Sequence, residues 1–159
     1  MPNSRVTRFN FAVGNEPQVD NFFEQAGKQA SYLLEEVNEL IEAINNRDMV
    51  EVLDAVVDIW YIREYLDDLL TEQGVKINPA KTKVCDNNDT KFSTSRALIA
   101  LAVDHYKAKG VECYIAEVDY EGEVFYTCRR LSDDKVMKPT TFEPVDLKPC
   151  VPVEFHGSE

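Results

Sequence analysis

Residues 33–62 read LLEEVNELIEAINNRDMVEVLDAVVDIWYI, and this stretch decides the fold. Leu33, Val37, Leu40, Ile41 and Ile44 recur at helical spacing, which predicts an amphipathic helix with one apolar face. Asn45-Asn46-Arg47-Asp48 reads as a turn, with Asp48 as the N-cap of a second helix. That helix is expected from about Met49 to Glu72, ending at Gly74. Two helices with so short a link lie antiparallel, side by side.

The acids on these helices are the informative residues. On the first, Glu36 lies just off the edge of the apolar arc and Glu39 lies farther round, with Glu35 and Glu42 beyond them. On the second, every residue from Met49 to Ile62 is apolar or tyrosine except Glu51, Asp54 and Asp58, which share one stripe. A helix apolar nearly all round is normally buried. Three carboxylates in a buried stripe repel one another and need a counter-charge, and no lysine is near in sequence. A hard divalent cation such as Mg²⁺ meets that need with oxygen ligands from facing helices. Taken singly, each acid has a structural explanation: Glu51, three residues after Asp48, fits a capping box. Taken together, Glu36, Glu39, Glu51 and Asp54 are expected to hold metal, with Glu35 or Asp58 orienting the attacking water or accepting its proton.

Outward from this core the pattern is looser. Residues 1–16 read as irregular, with Phe9, Phe11 and Val13 alternating like a short extended piece. Pro17 opens a short helix that Gly27 is expected to stop, before helix resumes at Lys28. Residues 75–93 read as a connecting loop around Pro79 and Asp86-Asn87-Asn88-Asp89, followed by a helix over about 94–109 closed by Gly110. VECYIAEV and EVFYTCRRL flank Asp119-Tyr120-Glu121-Gly122 as a β-hairpin, whose turn is expected to place Cys113 opposite Cys128. The proline-punctuated end reads as an extended tail. The fold expected is mainly α: an antiparallel helical bundle core with an added C-terminal helix, β-hairpin and extended tail. The helical catalytic core would occupy residues 1–80, and residues 81–159 would complete the substrate site.

Charge and composition narrow the function classes. The chain has 29 acidic and 17 basic residues, a net charge of −12, so a nucleic-acid binder is disfavoured. Residues 35–72 hold 12 acids against Arg47 and Arg63 alone, which an ordinary solvated helix with mixed charge does not require. No apolar run reaches membrane-span length, and the first 15 residues lack the apolar centre of a signal peptide, so a cytoplasmic location is expected. Four widely spaced cysteines read as reduced thiols. Phosphate-loop, zinc-protease and nucleophile-elbow motifs are absent, and His105 and His156 read as surface residues.

The spacing E-E-x-x-E, then E-x-x-D on a second helix, resembles the MazG-like nucleoside triphosphate pyrophosphohydrolases, relatives of dimeric dUTPase and phosphoribosyl-ATP pyrophosphohydrolase. Glu35-Glu36-Val37-Asn38-Glu39 and Glu51-Val52-Leu53-Asp54 carry the likeness. Asn88-Asp89-Thr90-Lys91-Phe92, Asp133-Asp134-Lys135-Val136-Met137-Lys138-Pro139 and Pro144-Val145-Asp146-Leu147 resemble shorter signatures of viral members, with Asp134 where D-G-K has glycine. The resemblance implies hydrolysis of a (deoxy)nucleoside triphosphate to monophosphate and pyrophosphate, with Mg²⁺ (Mn²⁺ as a substitute), in a homodimer or homotetramer. A viral member would work in the host cytoplasm. Lys91, Lys135 and Lys138 would grip the distal phosphates as point charges, and Asn88 would meet the base or make a turn. A large apolar pocket favours a purine, dGTP before dATP, although the amides Gln29, Asn38 and Asn88 are too scattered to assign a base. The rival readings are a related phosphoanhydride hydrolase, of dUTPase or phosphoribosyl-nucleotide type, and a non-enzymatic acidic helical interaction protein.

Overall fold

The turn predicted at Asn45–Asp48 is where two long helices meet in the computed structural model, which describes residues 4–156. Helix α2 (Phe22–Asn46) ends at Arg47, whose left-handed backbone (φ 57°) returns its N–H to the last turn of the helix. Asp48 then caps α3 (Met49–Glu72), its carboxylate accepting from the backbone N–H groups of Val50 and Glu51 at 3.0 and 3.2 Å. The expected hairpin and cap are both present.

Contacts divide the chain into two units, one running to Ile77 and taking in the chain from Lys148 onward, the other Asn78–Leu147. In the first unit, helix α1 (Arg5–Ala12) replaces the irregular start expected from the sequence. Ser4 caps it by accepting from the Thr7 N–H, and the Thr7 hydroxyl donates to Asp68 on α3 at 2.6 Å. Val6 joins Tyr65 and Leu69 in a buried cluster, with Phe22, Ala26, Tyr61 and Leu66 packed around it. The break expected at Gly27 does not occur: α2 runs through it, because Phe22 and Ala26 on the near side are anchored in that cluster. The tail forms two short 3₁₀ turns, Lys148–Cys150 and Val153–Phe155. Lys76 donates its N–H to Cys150 at 2.8 Å, and the His156 ring meets the carbonyls of Lys148 and Val151.

In the second unit, the loop expected over 75–93 is mostly helix α4 (Ile77–Asp89). Pro79 does not prevent it, since the first-turn position it occupies needs no intrahelical N–H donor. Strands β1 (Phe92–Ser93), β2 (Cys113–Tyr120) and β3 (Glu123–Arg130) form an antiparallel sheet in the order β1-β3-β2. Helix α5 (Arg96–Ala108) packs on it, its Ile99 and Ala102 clustering with Cys128 of β3. The hairpin turn is Glu121-Gly122, both at positive φ, 55° and 84°, as a two-residue turn matched to strand twist requires. This shifts the register from that expected: Cys113 faces Arg130 and Cys128 faces Ile115. The thiols remain diagonal neighbours, and all four cysteines are free. Burial, then the nearby Cys113, pushes the Cys128 thiol up to about 12.

Candidate active site

The two helices of the hairpin bring carboxylates together across their seam. Glu36 and Glu39 are three residues apart on α2, and Asp54 and Asp58 four apart on α3, so each pair projects from one side of its helix. Oε2 of Glu36 is sealed from solvent and has no hydrogen-bond partner among the described residues. Its proton affinity is raised, first by burial and then by the charges of Glu39, Asp58, Glu35 and Asp54. Exposed charges act strongly only at short range, so these four acids are the charged neighbours of Glu36. Glu36 thus feels the charges of four of the other five acids expected at the site.

Glu51 is the sixth, and it is not among the groups acting on Glu36. It sits in the first turn of α3, where its backbone N–H takes the Asp48 cap. Counting outward from Arg47 would have shown this. Glu36 and Asp58 each stand eleven residues from the turn and so meet across the hairpin, whereas Glu51 stands four away.

Among the described residues, no group of three or more His, Cys, Asp or Glu side chains stands in an arrangement that could hold a metal ion. The donor chemistry nevertheless fits a divalent cation. The donors are all carboxylate oxygens, one of them buried and unpartnered, on a helix pair with no cation among the groups that act on it. A hard ion would remove the mutual repulsion that raises Glu36.

The second unit holds the other expected residues. Lys91 donates to the Asn88 side chain at 2.6 Å. The Lys138 ammonium lies 4.4 Å from the centre of the Phe142 ring and that of Lys91 5.9 Å from it. Three of the four residues expected to bind substrate thus share one neighbourhood. Lys135 is not placed among them: its backbone pairs with Arg130 and with the Asp133 carboxylate. Asp134 adopts φ 57°, the left-handed conformation that glycine readily takes, and its carboxylate is held by Arg129 and by the Tyr114 hydroxyl.

Residues 15–88 match the family model described as phosphoribosyl-ATP pyrophosphohydrolase. That segment takes in α2 and α3 whole, with all six acids, and stops one residue short of the end of α4. No curated protein and no solved structure matches the chain.

Proposed function

We propose, from the match of residues 15–88 to the phosphoribosyl-ATP pyrophosphohydrolase family model and the resemblance of the acid motifs to MazG-like enzymes, that the acid cluster of this chain cleaves a nucleotide between its α and β phosphates. A nucleotide pyrophosphohydrolase activity in general is what the match supports; the metal, the bond and the base are our reading. The observation that carries it is the sealed, unpartnered Glu36 oxygen, on a carboxyl that four neighbouring acids repel, a repulsion that a bound cation would relieve.

Glu36, Glu39 and Asp54 would hold the ion, with Asp58 rather than Glu51 as the fourth donor because Asp58 acts on Glu36. Bound Mg²⁺ supplies Lewis-acid polarisation of phosphate oxygens and lowers the pKa of a coordinated water. The chain's own residues do the rest. Glu35, beside the cluster, accepts a proton from the attacking water. The water oxygen bonds to the α phosphorus, the bridging P–O bond breaks and its electron pair leaves with pyrophosphate. The paired acidic helices also exclude a bare triphosphate, so substrate enters with its charge already neutralised.

A purine triphosphate, dGTP and then dATP, is the proposed substrate. The phosphoribosyl-ATP description of the matching family favours a second reading, a phosphoribosyl nucleotide. Incubation with the four deoxynucleoside triphosphates, dUTP and phosphoribosyl-ATP, with and without Mg²⁺, tests the proposal. Monophosphate and pyrophosphate released from a purine triphosphate only with Mg²⁺ are expected. No Mg²⁺-dependent turnover of any member would overturn it.

A further inference from the structure

We propose that Gln29 reads the edge of the substrate's nucleobase inside a cleft that α1 closes against the α2–α3 hairpin; this rests on the nucleotide reading above and adds a specificity-determining residue to it. Within the first unit, a cleft of about 450 Å³ is bounded by Phe9, Asn10 and Asn15 on one side and by Gln29, Tyr32 and Tyr61 on the other. That volume is in the range of small-molecule sites. Its walls are aromatic, with Phe9 meeting Tyr61 edge to face at 6.1 Å between ring centres. A flat heteroaromatic ring is the ligand that such walls suit.

The polar groups of the cleft divide into two kinds. The Asn10 amide is held within the protein: it donates to the Val6 carbonyl at 3.0 Å and accepts from Asn15 at 2.8 Å. The Tyr65 hydroxyl donates to the Asn15 carbonyl at 2.7 Å, which fixes that wall. Gln29 is different. It is only 6 % exposed, yet its carboxamide makes no hydrogen bond among the described residues. Its polar atoms are not among those sealed from water, so the amide opens into the cleft it lines. An amide that faces the cleft with no protein partner is available to a ligand supplying one donor and one acceptor side by side. Nucleobase edges present such pairs.

The cleft also stands in line with the acids. Gln29 and Glu36 are seven residues apart on α2, and Tyr65 and Asp58 seven apart on α3, so each pair shares a helix face two turns apart. Cleft and cluster therefore lie along one groove, about 10 Å from each other along the helix axis. A base in the cleft leaves sugar and phosphates running toward Glu36. Helix α1 lies outside the family-matched segment, so this wall is not inherited with the carboxylate motif.

The test measures equilibrium binding of dAMP, dGMP, dCMP and dTMP to the full chain by calorimetry, without divalent metal. The wild type is expected to prefer one base by roughly tenfold or more, and Gln29→Leu to erase that preference. Proton NMR on the wild type is expected to show contacts between base protons and the Phe9 and Tyr61 rings, a readout that survives if the variant fails to fold. An unchanged preference in Gln29→Leu, or millimolar monophosphate giving no contact to these rings, would overturn the inference. Base contacts in a protein that hydrolyses no nucleotide would sustain it while removing the hydrolase reading. Turnover with base preference indifferent to Gln29 would do the reverse.

Discussion

Glu36 is the residue on which stability and chemistry pull in opposite directions. Its carboxyl is raised above the ordinary glutamate range by burial and by four neighbouring acids, so the folded chain binds its proton more tightly than the unfolded chain does. Stability from this group is complete at low pH and is lost as pH rises through the raised value. Without metal, Glu36→Gln is therefore expected to melt higher than the wild type at pH 7, the two converging below the ordinary value of 4.5. Adding Mg²⁺ should reverse the order, because only the wild type offers the full set of anionic ligands; thermal melts across pH and Mg²⁺ concentration check both signs. A second pair of variants addresses the fourth ligand. Asp58→Asn is expected to lower turnover roughly a hundredfold, and Glu51→Gln to cost far less; steady-state kinetics in which Glu51→Gln is the more damaging would return the metal set to the one read from the sequence. The acids themselves were legible because helix periodicity fixes which residues share a face. Their pairing across the seam was legible too, once residues are counted outward from the turn at Arg47, but a stripe read on each helix separately does not give that register.

At the scale of the elements, strongly periodic segments and cap chemistry were readable, whereas segments set by distant contacts were not. Helix α3 follows from an unbroken apolar pattern and the Asp48 cap, and Met49–Glu72 is where the structure has it. Helix α1 is short and weakly patterned, and it depends on Val6 packing against Tyr65 and Leu69 and on the bond from Thr7 to Asp68, partners about sixty residues away. Gly27 shows the same override: a glycine with a stop signal's character lies inside 25 continuous helical residues. A Cβ added at Gly27 meets nothing within 4 Å, and the position does not need positive φ. Gly27→Ala is thus expected to stabilise the protein by about 0.5–1 kcal/mol, measured by urea denaturation. A loss of stability would mean that α2 bends there in solution. Asp134 is the complementary case, a non-glycine residue held in the left-handed region by two side-chain bonds to its own carboxylate.

At the scale of the whole molecule, the hairpin leaves apolar surface that the described chain does not cover. Leu34, Ile41 and Ile44 of α2 and Val50, Leu53 and Trp60 of α3 are all about half exposed or more, whereas the small residues Ala43 and Ala55 are buried. Helices that pack through alanines while exposing branched residues call for a further partner, and a second copy of the chain is the one we propose. Light scattering is expected to give a multiple of 18.2 kDa, and Leu53→Lys to shift the species toward monomer; a wild-type monomer at micromolar concentration would contradict this. The sequence showed the excess of apolar residues but not which face would be left open, since that depends on the seam register. Catalysis itself is tested most directly by where the water oxygen goes. Hydrolysis in ¹⁸O-labelled water with Mg²⁺, of whichever nucleotide is turned over fastest, is predicted to place the label in the monophosphate and none in pyrophosphate. Label in pyrophosphate, or release of orthophosphate, would contradict attack at the α phosphorus by a water the acid cluster activates.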